Sequence, residues 1–451
     1  MVGKHLILIL YKIYRFLSNK IIFYKTALLS LFSKILLKKT KKNDKILEEV
    51  IFLEIVERFL NYVKIDTQSD PNSNTYPSTL KQLNLANLLV SELKELGLAN
   101  ASVDKYGYVT ALLEGDKSRH SVAFLAHMDT SFDMSGKNVK PQIIENYDGE
   151  DVKLNENLTM YIKDFPHLSE YRGHDMIFTD GTTLLGADDK AGIAIIMDAI
   201  SKLINDKNHG DIYIAFTPDE EVGEGVTYFN LENFKADFAY TLDGDKAGGI
   251  EYENFNAASC IINVTGKSIH PGSAKGKMVN ALKELFRFDQ MLPLHMVPEA
   301  TEGYEGFNHL TDLSGSVEKA TAHYIIRNHD IELFNKQKED FQRIGNYLNA
   351  ELGYEAFQVE IKDSYYNMAS IINENYEIIE IAQEATKLAG LTPFSKPIRG
   401  GTDGARLTFM GLPTPNLGTG GGNFHGKYEY LSINEMKKAS EIVVNIAHLV
   451  K

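Results

Sequence analysis

One cysteine, Cys260, stands among 451 residues, and that scarcity excludes an internal disulfide, a Cys-rich zinc module and an iron–sulfur cluster. Any metal must be held by His, Asp and Glu. A basic surplus is also missing. The 47 Lys and Arg face 61 Asp and Glu, a formal net charge of -14, which argues against nucleic acid as a partner because its binders need a basic face to displace counterions. Acids are absent from the first 42 positions, which carry nine Lys and one Arg. The longest uncharged run there, Thr26–Ser33, is far short of the ~18–20 apolar residues that span a bilayer. Lys12, Arg15, Lys20 and Lys25 interrupt every stretch that could serve as a secretory signal. Two readings of this segment remain: a basic amphipathic helix in contact with an anionic membrane surface, or an upstream extension outside the working protein. The second is the expectation. No internal repeat and no Pro/Gly/Ser linker appears.

What is present is an ordinary globular mix, 43% hydrophobic and 24% charged, in a chain long enough for two or three domains. Lys45–Lys64 and Thr79–Leu96 read as amphipathic helices, the second opened by Thr79-x-x-Gln82 as a capping box and closed by Gly97. Short β-rich runs follow at Tyr106–Leu113, Ser121–Ala126, Asp211–Thr217 and Phe238–Leu242, each leading to a turn and a helical pattern. Runs such as Val122–Ala126 and Ile212–Phe216 are apolar on both faces, as when helices cover both sides of a mostly parallel sheet.

From about Asn254 the order becomes strand (Ala257–Thr265), helix (Met278–Met291), strand pair (His309–Lys319, Thr321–Arg327), helix (Asn335–Leu352) and strand (Phe357–Tyr366). That is the split βαβ order of a ferredoxin-like domain. The expected fold is therefore α/β, built from residues 44–253 and 367–451, with an inserted ferredoxin-like α+β domain over 254–366 and a separate N-terminal extension over 1–43. The loop Gly418-Thr-Gly-Gly-Gly422 fits neither the dinucleotide nor the P-loop spacing and reads as a flexible turn.

Five acid or His motifs carry chemistry, and four of them stand just after strands, where open α/β sheets place their sites. His127-Met-Asp129 ends the first apolar strand, and alternation puts both side chains on one side, so that Asp129 could accept the second ring proton of His127. Gly186-Ala-Asp188-Asp189-Lys190 precedes the helical run Ala191–Leu203. Thr217-Pro-Asp219-Glu220-Glu221 ends the most apolar strand, where like charges this dense repel unless a cation neutralises them. Leu242-Asp243-Gly244 follows another strand, and Asn423-Phe-His425-Gly426 lies near the C-terminus. Each alone has a bland alternative: a structural His, a solvated helix start or a charged turn. Together they give two His and several carboxylates, enough for two metal ions if one carboxylate bridges, with one group left as a base.

This order of motifs resembles the co-catalytic di-zinc exopeptidase family that includes succinyl-diaminopimelate desuccinylase. The closer likeness, from about residue 50 onward, rests on Tyr76-Pro-Ser-Thr79, Ala126-His-Met-Asp-Thr130, Leu184-Leu-Gly-Ala-Asp-Asp-Lys-Ala-Gly192, Glu253-Asn-Phe-Asn-Ala-Ala258, His270-Pro-Gly272, Gly400-Gly-Thr-Asp-Gly-Ala405 and Phe424-His-Gly-Lys427. The resemblance implies a cytoplasmic metallo-aminopeptidase that releases the N-terminal residue from tripeptides by zinc-activated water, with two Zn2+ per subunit and short peptides as partners. It implies that His127 and Asp243 bind one zinc, Glu221 and His425 the other, and Asp188 bridges them. It further implies that Asp129 orients the His ligand, that Glu220 is the general base, and that His270, Asn280, Arg327 and Arg399 contact substrate, with residues 254–366 as a lid. Whether His270 comes from the same subunit or from the second subunit of a homodimer stays open. So do three other functions: a related di-zinc dipeptidase or amidohydrolase, a non-catalytic binding protein on the same fold, and a membrane-tethered scaffold.

Overall fold

The computed structural model describes residues 55–451. The basic segment and the first part of the helix expected over Lys45–Lys64 lie outside the described residues; the second part is helical over 55–62. No helix among the described residues is long and apolar enough to cross a membrane.

A seven-stranded sheet forms the larger part, in the order Ser102–Val103, Val109–Leu113, Ile212–Thr217, Val122–His127, Phe238–Gly244, Asn416–Gly418, Ile250–Glu251. The four inner strands from Ile212–Thr217 to Asn416–Gly418 are parallel, and the flanking strands are antiparallel. Val122–His127 sits in the middle and is buried at every position, which is why its sequence is apolar on both faces. Ala123 and Leu125 pack on one side with Val226, Phe229, Leu407 and Leu412. The helix Ala187–Leu203 covers the other side and in turn packs against Ile433–Leu449.

Gly192 lets that helix lie on the sheet. A Cβ there would stand 2.1 Å from the carbonyl oxygen of Leu242, so the helix that follows Asp188 and the strand that carries Asp243 meet backbone to side-chain-free backbone.

The inserted segment has the expected elements: Asn256–Thr265, Ala281–Asp289, Phe307–Gly315, Lys319–Asn328, Ile331–Leu352 and Phe357–Tyr365. Its four strands pair antiparallel in the order Phe307–Gly315, Lys319–Asn328, Asn256–Thr265, Phe357–Tyr365, and both helices bury their apolar faces on Cys260, Ile262, Tyr324 and Ile326. The chain enters and leaves this segment side by side. Asn254 N–H donates to Asn367 Oδ1 at 3.2 Å, Met368 N–H to Asn254 Oδ1 at 2.8 Å, and Asn367 N–H to Asn256 Oδ1 at 3.0 Å.

Several expectations need correction. The Thr79-x-x-Gln82 capping box does not form: the helix is Gln82–Leu96, and the Thr79 hydroxyl donates to Gln68 O at 2.8 Å. Gln82 is buried and spends its amide on Asp219, so a tertiary contact displaces the local cap. The Gly-rich loop is not a flexible turn. Asn416–Gly418 and Gly421–Gly422 are strands, and a Cβ at Gly418 would lie 1.9 Å from Lys246 O; the glycines serve close packing. The strand expected over Tyr106–Leu113 starts at Val109 because Asp104 holds the turn before it, accepting from Tyr106 and Tyr108 N–H. A second small sheet, Gly421–Gly422, Tyr430–Ser432, Met176–Phe178 and Gln142–Ile144, was not anticipated.

Gly192→Ala should destabilise the protein by about 1–3 kcal/mol, the usual range for overpacking. The midpoint of denaturant unfolding checks this, and an unchanged midpoint would contradict the close-contact account.

Candidate metal centre and active site

Strand ends place the cluster. His127 closes Val122–His127, Glu220 and Glu221 sit in the turn after Ile212–Thr217, and Asp243 is near the end of Phe238–Gly244. Adjacent parallel strands finish at the same edge, so residues far apart in sequence converge there. Asp188 comes from a non-helical first turn, at φ -87° and ψ 103°, before the regular part of Ala187–Leu203. His425 arrives on a tight turn with φ 63°.

Asp188 stands between the two imidazoles. Its Oδ1 is 2.8 Å from His127 Nε2 and its Oδ2 is 3.2 Å from His425 Nε2. Asp243 Oδ1 lies 3.5 Å from His127 Nε2, and Glu221 Oε2 lies 3.1 Å from His425 Nε2. The other ring nitrogen of His127 faces Asp129, 3.1 Å from its backbone oxygen and 3.3 Å from Oδ1. Asp129 also accepts the backbone N–H groups of Glu220 at 3.0 Å and Glu221 at 3.2 Å. One buried carboxylate thus faces the His127 ring and clamps the acidic turn. Asp219, at φ 59°, anchors the same turn from below by accepting from Ser78 N at 2.6 Å and Gln82 Nε2 at 2.7 Å.

Burial of so many acids shifts their protonation. Burial first, then the charge of Asp243, pushes Glu220 well above the usual carboxylate range. Burial and the neighbouring Asp188 carry Glu221 to about 7. Bonds to Asp188 and Glu221 lift His425 to about 11. Glu221 Oε1 is buried with no hydrogen-bond partner among the described residues. An unsatisfied oxygen beside raised carboxylates is a place where a cation would supply the partner. The donors are all imidazole and carboxylate, which suits a borderline divalent ion such as zinc. Two overlapping groupings, both including His127, could hold an ion: His127 with Glu220 and Asp243, and His127 with Asp188 and Glu221, the donor atoms in each lying within 4.8 Å of one another.

The four residues expected to contact substrate have other partners. His270 is exposed and its Nδ1 accepts from Gly272 N at 3.2 Å. Asn280 caps Ala281–Asp289, accepting from Leu282 N at 3.1 Å. Arg327 donates to Ala258 O at 3.1 Å and Ile326 O at 3.0 Å, with its guanidinium 5.5 Å from the Tyr365 ring. Arg399 donates to Gly303 O at 2.9 Å, Glu305 O at 2.8 Å and Thr301 Oγ1 at 2.8 Å.

Sequence reasoning missed four residues. Asp403 is buried against the site, accepts from Thr217 Oγ1 at 2.9 Å and is raised by burial to about 7. Asp133 Oδ2 lies 3.4 Å from His425 Nδ1. Tyr365 is raised by burial, opposed by Arg327, with the charge of Glu220 adding to the rise. Glu429 is buried and accepts backbone N–H groups of the Asp188 turn. Only Asp403, inside a motif already singled out, carried a signal in the sequence.

A family model described as peptidase family M20/M25/M40 matches residues 183–449, and the chain belongs to that family. It is 53% identical over 397 residues to Peptidase T of Clostridium perfringens, a match covering 87% of this chain and 98% of that protein. Among solved structures, aminopeptidase PepT from Bacillus cereus matches with a TM-score of 0.70 at 23% identity, over 88% of this chain and 98% of that one. A tripeptidase from Staphylococcus aureus matches with a TM-score of 0.69 at 22% identity, over 88% and 98%.

The raised carboxylates fix a pH dependence for the metal-free chain. Glu221 titrates near 7 when folded but near the ordinary ~4.3 when unfolded, so its neutral form favours the fold below that window and the advantage is lost as pH rises through it. The metal-free melting temperature should therefore fall between about pH 5 and 7.5, and the gain on adding zinc should be larger at pH 7.5 than at pH 5. Equal gains at both values would contradict the assignment.

Proposed function

We propose that this protein is a zinc aminopeptidase that releases the N-terminal residue of tripeptides in the cytoplasm. The observation that carries the reading is Asp188, whose two oxygens face the two imidazoles from opposite sides. In this reading His127 and Asp243 would hold one zinc and Glu221 and His425 the second, with Asp188 contributing to both. Bound there, the pair would supply an acidified water and polarise the scissile carbonyl.

The chain's own residues do the rest. Glu220 takes the proton of the attacking water and returns it to the leaving amine. Its backbone is fixed by Asp129, so the carboxylate is aimed before substrate arrives. Asp129 also sets the His127 tautomer by facing Nδ1, which leaves Nε2 toward the metals. Residues 254–366 act as a lid over the body formed by 44–253 and 367–451, and its closure brings His270 from its exposed turn to the developing oxyanion. Asn280 contributes from the start of Ala281–Asp289. Arg327 and Arg399 bind the far carboxylate, Arg399 by exchanging the carbonyls of Gly303 and Glu305 for it. The span from that carboxylate to the first peptide bond then measures peptide length. The names of the relatives above support the choice of tripeptides.

Glu220→Gln should retain metal and fold and lose about 10²–10⁴ in turnover; near-normal turnover with full metal content would exclude Glu220 as the proton carrier. Arg327→Ala should weaken cleavage of a free tripeptide by roughly 10–100-fold, the loss of a charge-assisted contact, and of its C-terminal amide much less. If wild-type protein cleaves tripeptides, their amides and longer peptides at similar rates, the carboxylate clamp is wrong and a broad aminopeptidase, dipeptidase or amidohydrolase is the better description.

A further inference from the structure

Glu429 is buried, with about 1% of its surface exposed, and no step of the mechanism above uses it. Its carboxylate accepts three backbone N–H groups: Leu185 at 2.6 Å and Gly186 at 2.9 Å on Oε2, and Asp188 at 3.1 Å on Oε1. Those donors are the free amides at the start of Ala187–Leu203, where Gly186 is left-handed at φ 80° and Asp188 and Asp189 depart from helical geometry. The turn has no side-chain cap of its own, so an acid from far along the sequence satisfies it. Both oxygens face amides of this turn, and neither ligand grouping at the site includes Glu429.

The backbone of Glu429 serves the other histidine. Its N–H donates to Gly426 O at 3.2 Å, closing the turn that carries His425, and Asn423 Nδ2 donates to Tyr428 O at 3.2 Å within the same turn. The residue is therefore bonded to the Asp188 turn through its side chain and to the His425 turn through its main chain. The 3.2 Å approach of His425 Nε2 to Asp188 Oδ2 lies between those two attachments.

We propose that Glu429 is a positioning residue that sets Asp188 and His425 in register, so that the shared carboxylate meets both sides of the metal site. This rests on the reading of Asp188 and His425 as ligands. An apolar residue could fill the same space, but it would leave three buried N–H groups without acceptors, and the turn would relax toward other partners. A glutamine would present one amide NH2 to backbone donors and break part of the cradle while keeping the volume.

The test uses the full chain with Glu429→Gln and Glu429→Ala. Zinc affinity is measured by competition with a graded chelator, alongside kcat, KM and the melting temperature. Positioning predicts zinc affinity 10–100-fold weaker, a fall in kcat with KM little changed, and a larger effect for Glu429→Ala than for Glu429→Gln. A lower melting temperature with wild-type zinc affinity and kcat would show a merely structural role and overturn the proposal. If neither variant folds, Glu429→Asp, which keeps the charge and shortens the reach, is measured in their place, and wild-type zinc affinity and kcat in that variant would overturn the proposal. Wild-type protein that binds no zinc at all would instead defeat the metal reading on which the proposal stands.

Discussion

Crowding of like charge is the constraint to which the rest of the molecule answers. Asp129, Asp188, Asp189, Glu220, Glu221, Asp243 and Asp403 converge on two imidazoles at one end of a buried sheet. Unpaired charges there would cost several kcal/mol each, so every carboxylate is given donors or left facing the place of a cation. Asp129 takes two amides of the acidic turn, Asp189 takes His127 N–H and Gly192 N–H, and Asp219 is held by Ser78 and Gln82. Glu221, whose Oε1 has no hydrogen-bond partner among the described residues, is the most underprovided of the converging acids. Backbone amides thus satisfy the supporting acids, while Glu221 at the centre keeps an unpartnered oxygen.

Much of the fold was legible because its elements are long and strongly patterned. The inner strands read as continuous apolar runs, and the inserted segment showed strand–helix–strand–strand–helix–strand in order, with boundaries within a few residues of those observed. The small sheet around Met176–Phe178 was not legible, since its strands are two or three residues long and a period cannot be read from so few. The Thr79 cap failed for a different reason: its partner Gln82 had a better use in tertiary structure.

At the site, the residues named from strand-end motifs are brought together, because position after a parallel strand is itself a geometric statement. Glu429 and Asp133 escaped notice because each acts across the chain, on a turn more than two hundred residues distant, and nothing in a linear pattern marks such a pairing. The substrate-side residues stand apart in another sense. Asn280 is a helix cap and Arg399 an interdomain tie as the chain stands, so their assigned roles need groups that already have structural partners to exchange them.

The paired passage at Asn254 and Asn367 bears on how such a protein diversifies. Both crossings share one doorway, where Asn254 and the Asn367–Met368 step bond to each other, and away from it the body holds the inserted segment through Arg399 and the carbonyl of Ile398, which faces His329. A segment whose ends lie that close can be lengthened, reshaped or replaced without rethreading the sheet or disturbing the strand ends that gather the acids. The acid cluster and the inserted sheet are thereby housed in parts that can change at different rates.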